Sequence, residues 1–94
     1  MRWNGKLYKI VYRKKAIKDI QKAKPIGLDN KIKSLIDLIK ENPFQNPPPY
    51  EKLVGDLQGA YSRRINIQHR LIYQVFEEEN TIKIISFWSH YEKI

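Results

Sequence analysis

Two stretches in the first half of the chain repeat their apolar residues with the period of an α-helix. In the first, residues 14–24, the apolar side chains recur at helical spacing and lysines fill the remaining positions, which predicts a short amphipathic helix. These apolar residues are Ala16, Ile17, Ile20 and Ala23. Pro25 and Gly27 end the helix, because proline lacks an amide donor and disfavours helical geometry in the residue before it.

A second helix is predicted to begin at Leu28-Asp29, where the Asp29 carboxylate is a candidate N-cap. Its apolar residues repeat at i, i+3, i+4 and i+7, which is the spacing of one helix face. They are Ile32, Leu35, Ile36 and Ile39. Asn42-Pro43 marks the end of this helix, and the proline-rich residues 43–50 are expected to form a stiff connector.

Strands are indicated elsewhere by segments rich in β-branched and aromatic residues, namely 7–12, 61–67, 70–76 and 81–88. Short polar breaks separate the last three segments, which predicts a three-stranded antiparallel meander. The element order is therefore β-α-α-β-β-β. We expect an α+β fold in which the two helices pack on one face of a curved, mainly antiparallel four-stranded sheet.

Two consecutive arginines lie in the second predicted strand. Since side chains alternate between the faces of a strand, Arg63 shares a face with Tyr61 and Ile65, while Arg64 points to the opposite face. We expect one arginine to face the helices or their edge and the other to face outward.

Composition narrows the class of protein further. Ninety-four residues, 41% of them hydrophobic, are enough for one domain spanning residues 1–94. The chain has no cysteine, so it has no disulfide framework and no zinc-thiolate cluster. It also has no long apolar run, so neither a signal peptide nor a membrane span is predicted, and a cytoplasmic location is expected.

The charge is strongly asymmetric. Residues 1–24 hold nine lysines and arginines against the single acid Asp19, while basic and acidic residues balance in the rest of the chain, so the net charge of +8 belongs to the first quarter. Such a basic region attracts polyanions, of which nucleic acid is the commonest in a cell. A solvated helix face, or a surface that binds an acidic protein, would have the same composition.

The residues that are candidates for catalysis lie mainly in the second half of the chain. No pair of histidines has metal-ligand spacing and no glycine-rich phosphate loop is present, so no metal or cofactor is predicted. Cleavage of RNA by its own ribose 2′-hydroxyl needs a base, cations for the phosphate and an acid for the leaving oxygen. Glutamate, arginine and histidine suit these roles, with an aromatic residue to stack on a base. The candidates are Glu51, Arg63, Arg64, Arg70, His90 and Tyr91.

The residue types alone do not decide between this chemistry and simpler explanations. Glu51 could be a solvated loop acid and His90-Tyr91 an ordinary strand end, while Arg63 and Arg70 could form cross-strand ion pairs. From these residues by themselves, a non-catalytic module that binds nucleic acid or protein is favoured over a nuclease.

Several motifs taken together favour the nuclease over the binding module, because the chain resembles the YoeB/Txe family of bacterial toxins within the RelE-like superfamily of ribosome-dependent mRNA interferases. The resemblance rests on S-R-R-I, H-R-L-x-Y and the late H-Y at these separations, and it is dense from residue 42 to residue 91. The matching segments are 42–44, 49–53, 57–66, 69–73 and 88–91.

The resemblance implies cleavage of mRNA in the ribosomal A site without a metal. By it, Glu51 is the general base, His90 the acid, Arg70 and Arg64 the phosphate-stabilising cations with Arg63 in support, and Tyr91 orients the acid or a base. It also implies an acidic antitoxin partner, docking on ribosomal RNA through the basic surface, and homodimerisation as known for relatives.

Two departures from the family pattern stand out. Residues 54–56 read Val-Gly-Asp where some members carry an additional cation, and residues 92–94 extend beyond the usual H-Y end.

Two rival functions also remain, namely a non-catalytic binding module of the same fold and a relative that poisons DNA gyrase. The presence of both Glu51 and His90 counts against the gyrase poison, since poisoning by binding needs no acid and base.

Overall fold

The computed structural model describes residues 7–53 and 59–87 of the chain. Within these residues, two α-helices and five strands follow in the order β1, α1, α2, β2, β3, β4, β5. Their bounds are β1 Lys9–Tyr12, α1 Lys14–Ala23, α2 Asp29–Glu41, β2 Glu51–Lys52, β3 Ala60–Arg64, β4 Arg70–Phe76 and β5 Thr81–Ser86. Both predicted helices and the predicted α+β class are confirmed.

Helix α1 runs into a short 3₁₀ turn, Lys24–Ile26, that ends at Gly27 with a φ of 77°. A positive φ is nearly free of strain only for glycine, so Gly27 allows the chain to reverse into α2. The predicted cap of α2 is wrong, because Leu28 occupies the N-cap position and no side chain caps the helix. Asp29 lies in the first turn instead, where its negative charge interacts favourably with the helix dipole.

The sheet has the strand order β1-β5-β4-β3-β2. Strands β3, β4 and β5 pair antiparallel with their neighbours, as the predicted meander requires. Strand β1 pairs in parallel with β5, so that Lys9 lies opposite Thr81. The expected sheet had four strands. The fifth strand, β2, was not predicted; it follows the connector of residues 43–50 and pairs antiparallel with β3 along the sheet edge.

The core lies between the helices and one face of the sheet. Ile32, Leu35, Ile36 and Ile39 of α2 pack there with buried residues of the sheet, including Leu71, Tyr73, Ile82 and Ile84. The opposite face holds a smaller buried cluster of Leu53, Ala60, Ile72 and Ile85. Alternation along β3 and β4 therefore points successive side chains to opposite faces of the sheet, each of which holds a buried cluster.

Strand β3 ends three residues earlier than predicted, because the chain turns immediately after Arg64. The Asn66 side-chain oxygen accepts hydrogen bonds from the amides of Gln68 and His69, both at 2.8 Å, and Ile65 N donates to His69 O at 2.8 Å. An asparagine that bonds its own backbone two residues on stabilises a turn. The turn brings Arg70 back beside Arg64.

No helix within residues 7–53 and 59–87 is long and apolar enough to cross a membrane.

Candidate active site

Three of the predicted site residues lie on one face of the sheet, on three adjacent strands. Glu51 of β2 lies opposite Ser62 of β3, and Arg64 of β3 lies opposite Arg70 of β4. Side chains directly opposite across a strand pair have Cβ atoms about 5 Å apart, and diagonal neighbours about 7–8 Å. The register thus brings the Glu51 carboxylate diagonally next to Arg64, with Arg70 beside Arg64. This face is the one turned away from the helices.

The same residues line an open groove of about 590 Å³ at the β2 edge of the sheet. Its walls come from α2, the proline-rich connector, β2, β3 and the turn that follows, and the first residue of β4. The lining residues are Lys31, Leu35, Pro48, Pro49, Tyr50, Glu51, Ser62, Arg63, Arg64, Ile65, Asn66, Ile67 and Arg70. Glu51 and Arg64 are exposed and Arg70 is half-buried, so a ligand in the groove can reach all three.

The direct pairing of Arg64 with Arg70 points to an anion. Two like charges opposite each other on one face of a sheet destabilise it, so sheet pairing alone does not favour this arrangement. Two guanidinium groups side by side are, however, well suited to bind the oxygens of one phosphate. A carboxylate on the same face can act as a general base towards a hydroxyl next to the bound phosphate.

Arg63, predicted to support phosphate binding, is instead a buried structural residue that faces the helix side. Its side chain is 1% exposed, and its guanidinium donates four hydrogen bonds within the protein. Nε donates to the Tyr73 hydroxyl at 3.0 Å and Nη1 to Pro48 O at 2.7 Å. Nη2 donates to Pro43 O at 3.1 Å and to Gln45 O at 2.8 Å. The alternation predicted from sequence is confirmed, and it is Arg64 that stays accessible.

These hydrogen bonds explain how the connector before Glu51 is held. Prolines lack amide donors, so the connector cannot pair as a strand, yet its partly buried carbonyls still need donors. The Arg63 guanidinium supplies them from a side chain that projects from β3. Its carbon Cζ also lies 4.9 Å from the centre of the ring of Tyr50, which is the residue before Glu51, so that the two side chains form a cation–π contact. Arg63 therefore fixes the segment that carries the candidate base.

Aromatic packing also holds the same segment. Phe44 and Tyr50 of the connector pack against Tyr61 of β3, with ring centroids 5.2 Å and 5.7 Å apart respectively. Tyr61 in turn lies 5.9 Å from Tyr73. The Tyr73 hydroxyl donates to Pro43 O at 2.8 Å, and burial raises the pKa of Tyr73 to about 12. Tyr73 thus stays neutral at physiological pH and acts as a fixed donor.

Two predicted site residues, His90 and Tyr91, lie outside the described residues. Two groove residues were missed by sequence reasoning, namely Lys31 of α2 and Ser62 of β3. Neither carries a local signal, because a lysine on a polar helix face and a serine in a strand are both ordinary. In the part of the chain that the structure describes, no three histidine, aspartate or glutamate side chains converge as metal ligands.

Comparison with known proteins identifies the family and the fold. The sequence profile of YoeB-like toxins of bacterial type II toxin-antitoxin systems matches residues 12–91, which includes every predicted site residue. The chain belongs to this YoeB-like toxin family. It is 38% identical over 63 residues to the toxin YoeB of Synechocystis, an alignment that covers 67% of this chain and 71% of that protein. It is 40% identical over 52 residues to the toxin YoeB of Mycobacterium bovis, covering 55% and 61%.

Solved YoeB structures have the same architecture. A YoeB/ParE toxin from Agrobacterium tumefaciens superposes with a TM-score of 0.80 at 30% identity, over 88% of this chain and 99% of that chain. YoeB from Staphylococcus aureus, solved in complex with YefM, superposes with a TM-score of 0.75 at 36% identity, over 89% and 98%. The same toxin has also been solved as a dimer. The RelE-like fold of this YoeB-like toxin is thereby established.

Proposed function

We propose that this YoeB-like toxin is a ribosome-dependent mRNA endoribonuclease that works by acid-base chemistry without a metal. The observation that carries the proposal is the placement of Glu51, Arg64 and Arg70 on one sheet face, along one open groove. Membership of the toxin family and the late H-Y pair support the same assignment.

In the proposed reaction, the Glu51 carboxylate removes the proton of a ribose 2′-hydroxyl. The 2′-oxygen then attacks the adjacent phosphorus while the bond from phosphorus to the 5′-oxygen breaks. His90 protonates the departing 5′-oxygen, and the products are a 2′,3′-cyclic phosphate and a 5′-hydroxyl end. Arg64 and Arg70 stabilise the additional negative charge on the phosphate, and Tyr91 orients the acid or a base.

An open groove fits an enzyme whose substrate is held by another particle. A ribosome that presents the A-site codon in a fixed position supplies orientation that a small protein cannot, and orientation lowers the barrier substantially. The exposed lysines of α1 and the turn after it support docking on ribosomal RNA. They are Lys14, Lys15, Lys18, Lys22 and Lys24.

The proposed protein partners come from the relatives. Since the S. aureus YoeB forms a complex with YefM and has been solved as a dimer, we propose an antitoxin partner and homodimer formation for this chain. An acidic antitoxin segment would be complementary to the +8 charge of the toxin.

Primer extension on an mRNA in a reconstituted translation reaction tests the proposal. We expect the wild type to cut at A-site codons only when ribosomes are present, and Glu51→Gln and His90→Ala to cut at least about a hundredfold more slowly, as loss of a general base or acid predicts. Glu78→Gln is the matched control, because Glu78 is exposed in the turn between β4 and β5 and lies outside the groove.

Intact mRNA with the wild type would overturn the proposal and favour the non-catalytic binding module. DNA damage on expression, with intact mRNA, would favour the gyrase poison. Full activity of Glu51→Gln would show that the base is another residue.

A further inference from the structure

The hydroxyl of Ser62 is a buried polar group that the proposed reaction does not use. Ser62 is 1% exposed, and its Oγ has no hydrogen-bond partner among residues 7–53 and 59–87. Buried side-chain donors in folded proteins are nearly always paired, because an unpaired one loses its hydrogen bonds to water without replacement. A small hydroxyl left unpaired next to a substrate groove therefore calls for an explanation.

The register of the sheet restricts what Ser62 can bond. On one side Ser62 lies opposite Ile72 of β4, which has an apolar side chain. On the other side it lies opposite Glu51 of β2, and both residues line the groove. Their Cβ atoms are expected to be about 5 Å apart, a separation that a glutamate side chain spans easily to place an oxygen at the serine hydroxyl.

We propose that Ser62 is a positioning residue for Glu51, donating its hydroxyl proton in a hydrogen bond to one carboxylate oxygen when RNA occupies the groove. This inference rests on the proposed function. Glu51 is exposed on a two-residue edge strand, so its side chain can adopt several rotamers. A bond from Ser62 to one oxygen holds the carboxylate so that the other oxygen faces the ribose 2′-hydroxyl.

The other charged groups of the groove are unchanged in a serine variant. Lys31, Arg64 and Arg70 line the same groove as Glu51, while Lys52 alternates to the other face of β2. A comparison of two variants at position 62 therefore isolates the effect of the serine hydroxyl.

Single-turnover cleavage of ribosome-bound mRNA tests this proposal with Ser62→Ala. We expect the maximal rate to fall about ten- to a hundredfold, the factor corresponding to one hydrogen bond to a charged group, while the concentration of ribosomes needed for half-maximal rate stays unchanged. Ser62→Thr, which keeps the hydroxyl, should restore most of the rate.

Stability separates this role from a merely structural one. Ser62→Ala removes an unpaired hydroxyl from a buried position, so we expect its melting temperature to equal or exceed that of the wild type. Ser34→Ala is the matched control, since Ser34 is exposed on α2 and outside the groove.

Either a wild-type rate for Ser62→Ala, or a loss of stability together with a rate that Ser62→Thr does not restore, would overturn the inference. Full activity of Glu51→Gln would overturn it as well, because the base would then be another residue. Cleavage by the wild type with an inactive Glu51→Gln would leave the proposed function standing, whereas intact mRNA with the wild type would remove the proposed function itself.

Discussion

The two consecutive arginines of β3 offer a sharp separation of structural and functional roles. Arg63 is 1% exposed and bonds the connector, whereas Arg64 is exposed in the groove next to Arg70. We therefore expect Arg63→Ala to destabilise the fold and Arg64→Ala to leave the fold intact while abolishing cleavage. The residue types are identical and adjacent, so each variant is the control for the other.

The magnitude for Arg63 follows from its contacts. Its removal leaves the carbonyls of Gln45 and Pro48 without their bonds to the guanidinium, and Tyr73 loses the bond to its hydroxyl oxygen. Each buried group left unpaired costs about 1–3 kcal/mol, and the cost is at the lower end for partly buried carbonyls. Removing the charge also recovers some of the free energy spent on burying it. The net loss is about 2–4 kcal/mol of the roughly 5–15 kcal/mol that stabilise a domain of this size.

Thermal unfolding followed by circular dichroism measures this loss. At about 4–8 °C per kcal/mol for a domain of 60–100 residues, Arg63→Ala should melt roughly 10–25 °C below the wild type. Arg64→Ala should melt within about 4 °C of it, because surface substitutions change stability by about 0.5 kcal/mol or less. Arg63→Lys should be intermediate, since an ammonium group keeps the charge but cannot reproduce the planar fork.

Cleavage assays at a temperature well below both melting points complete the comparison. Arg63→Ala keeps Glu51, Arg64 and Arg70 but loses the bonds that fix the connector, so it should cleave more slowly than the wild type and still much faster than Arg64→Ala. The reasoning is refuted if Arg63→Ala melts with the wild type, or if folded Arg63→Ala is as inactive as Arg64→Ala.

Two further predictions concern buried ionisable groups. Asp19 of α1 is 1% exposed and accepts a hydrogen bond from the Phe87 amide at 3.1 Å, so Asp19→Ala should lose about 2 kcal/mol of unfolding free energy in urea titrations. Asp19→Asn should lose less because its amide oxygen can still accept, and equal losses would contradict this role. The pKa of Tyr73 is raised from 10.0 to about 12 in the folded protein. The neutral buried side chain therefore contributes fully to the free energy of unfolding below pH 10, and this contribution is lost as the pH rises through 12. Relative to Tyr73→Phe, the wild type should thus lose up to about 3 kcal/mol of unfolding free energy between pH 9 and pH 12. Urea unfolding midpoints of both proteins measure this difference, and equal losses in the two proteins would exclude Tyr73 as the cause.

Much of the architecture follows from local rules that a single sequence carries. Helical periodicity in residues 14–24 and 29–41 and β-rich segments after residue 60 were sufficient to predict α1, α2 and the antiparallel meander. The parallel pairing of β1 with β5 and the short strand β2 were not predicted. Both depend on which distant segment completes the sheet edge, and a two-residue strand has no periodicity of its own.

In the candidate site, too, some features follow from local sequence and others only from the tertiary structure. Alternation along a strand determined that Arg63 and Arg64 face opposite sides, because the side-chain period of a strand is two residues. It could not determine which arginine is buried. That was decided by the acceptors of Arg63, the carbonyls of Pro43, Gln45 and Pro48, which lie 15–20 residues away in sequence. The local turn at Asn66 sets the pairing of Arg64 with Arg70. Only the tertiary structure brings Glu51 to Ser62, because β2 and β3 are not joined by a tight turn and local sequence does not encode their register.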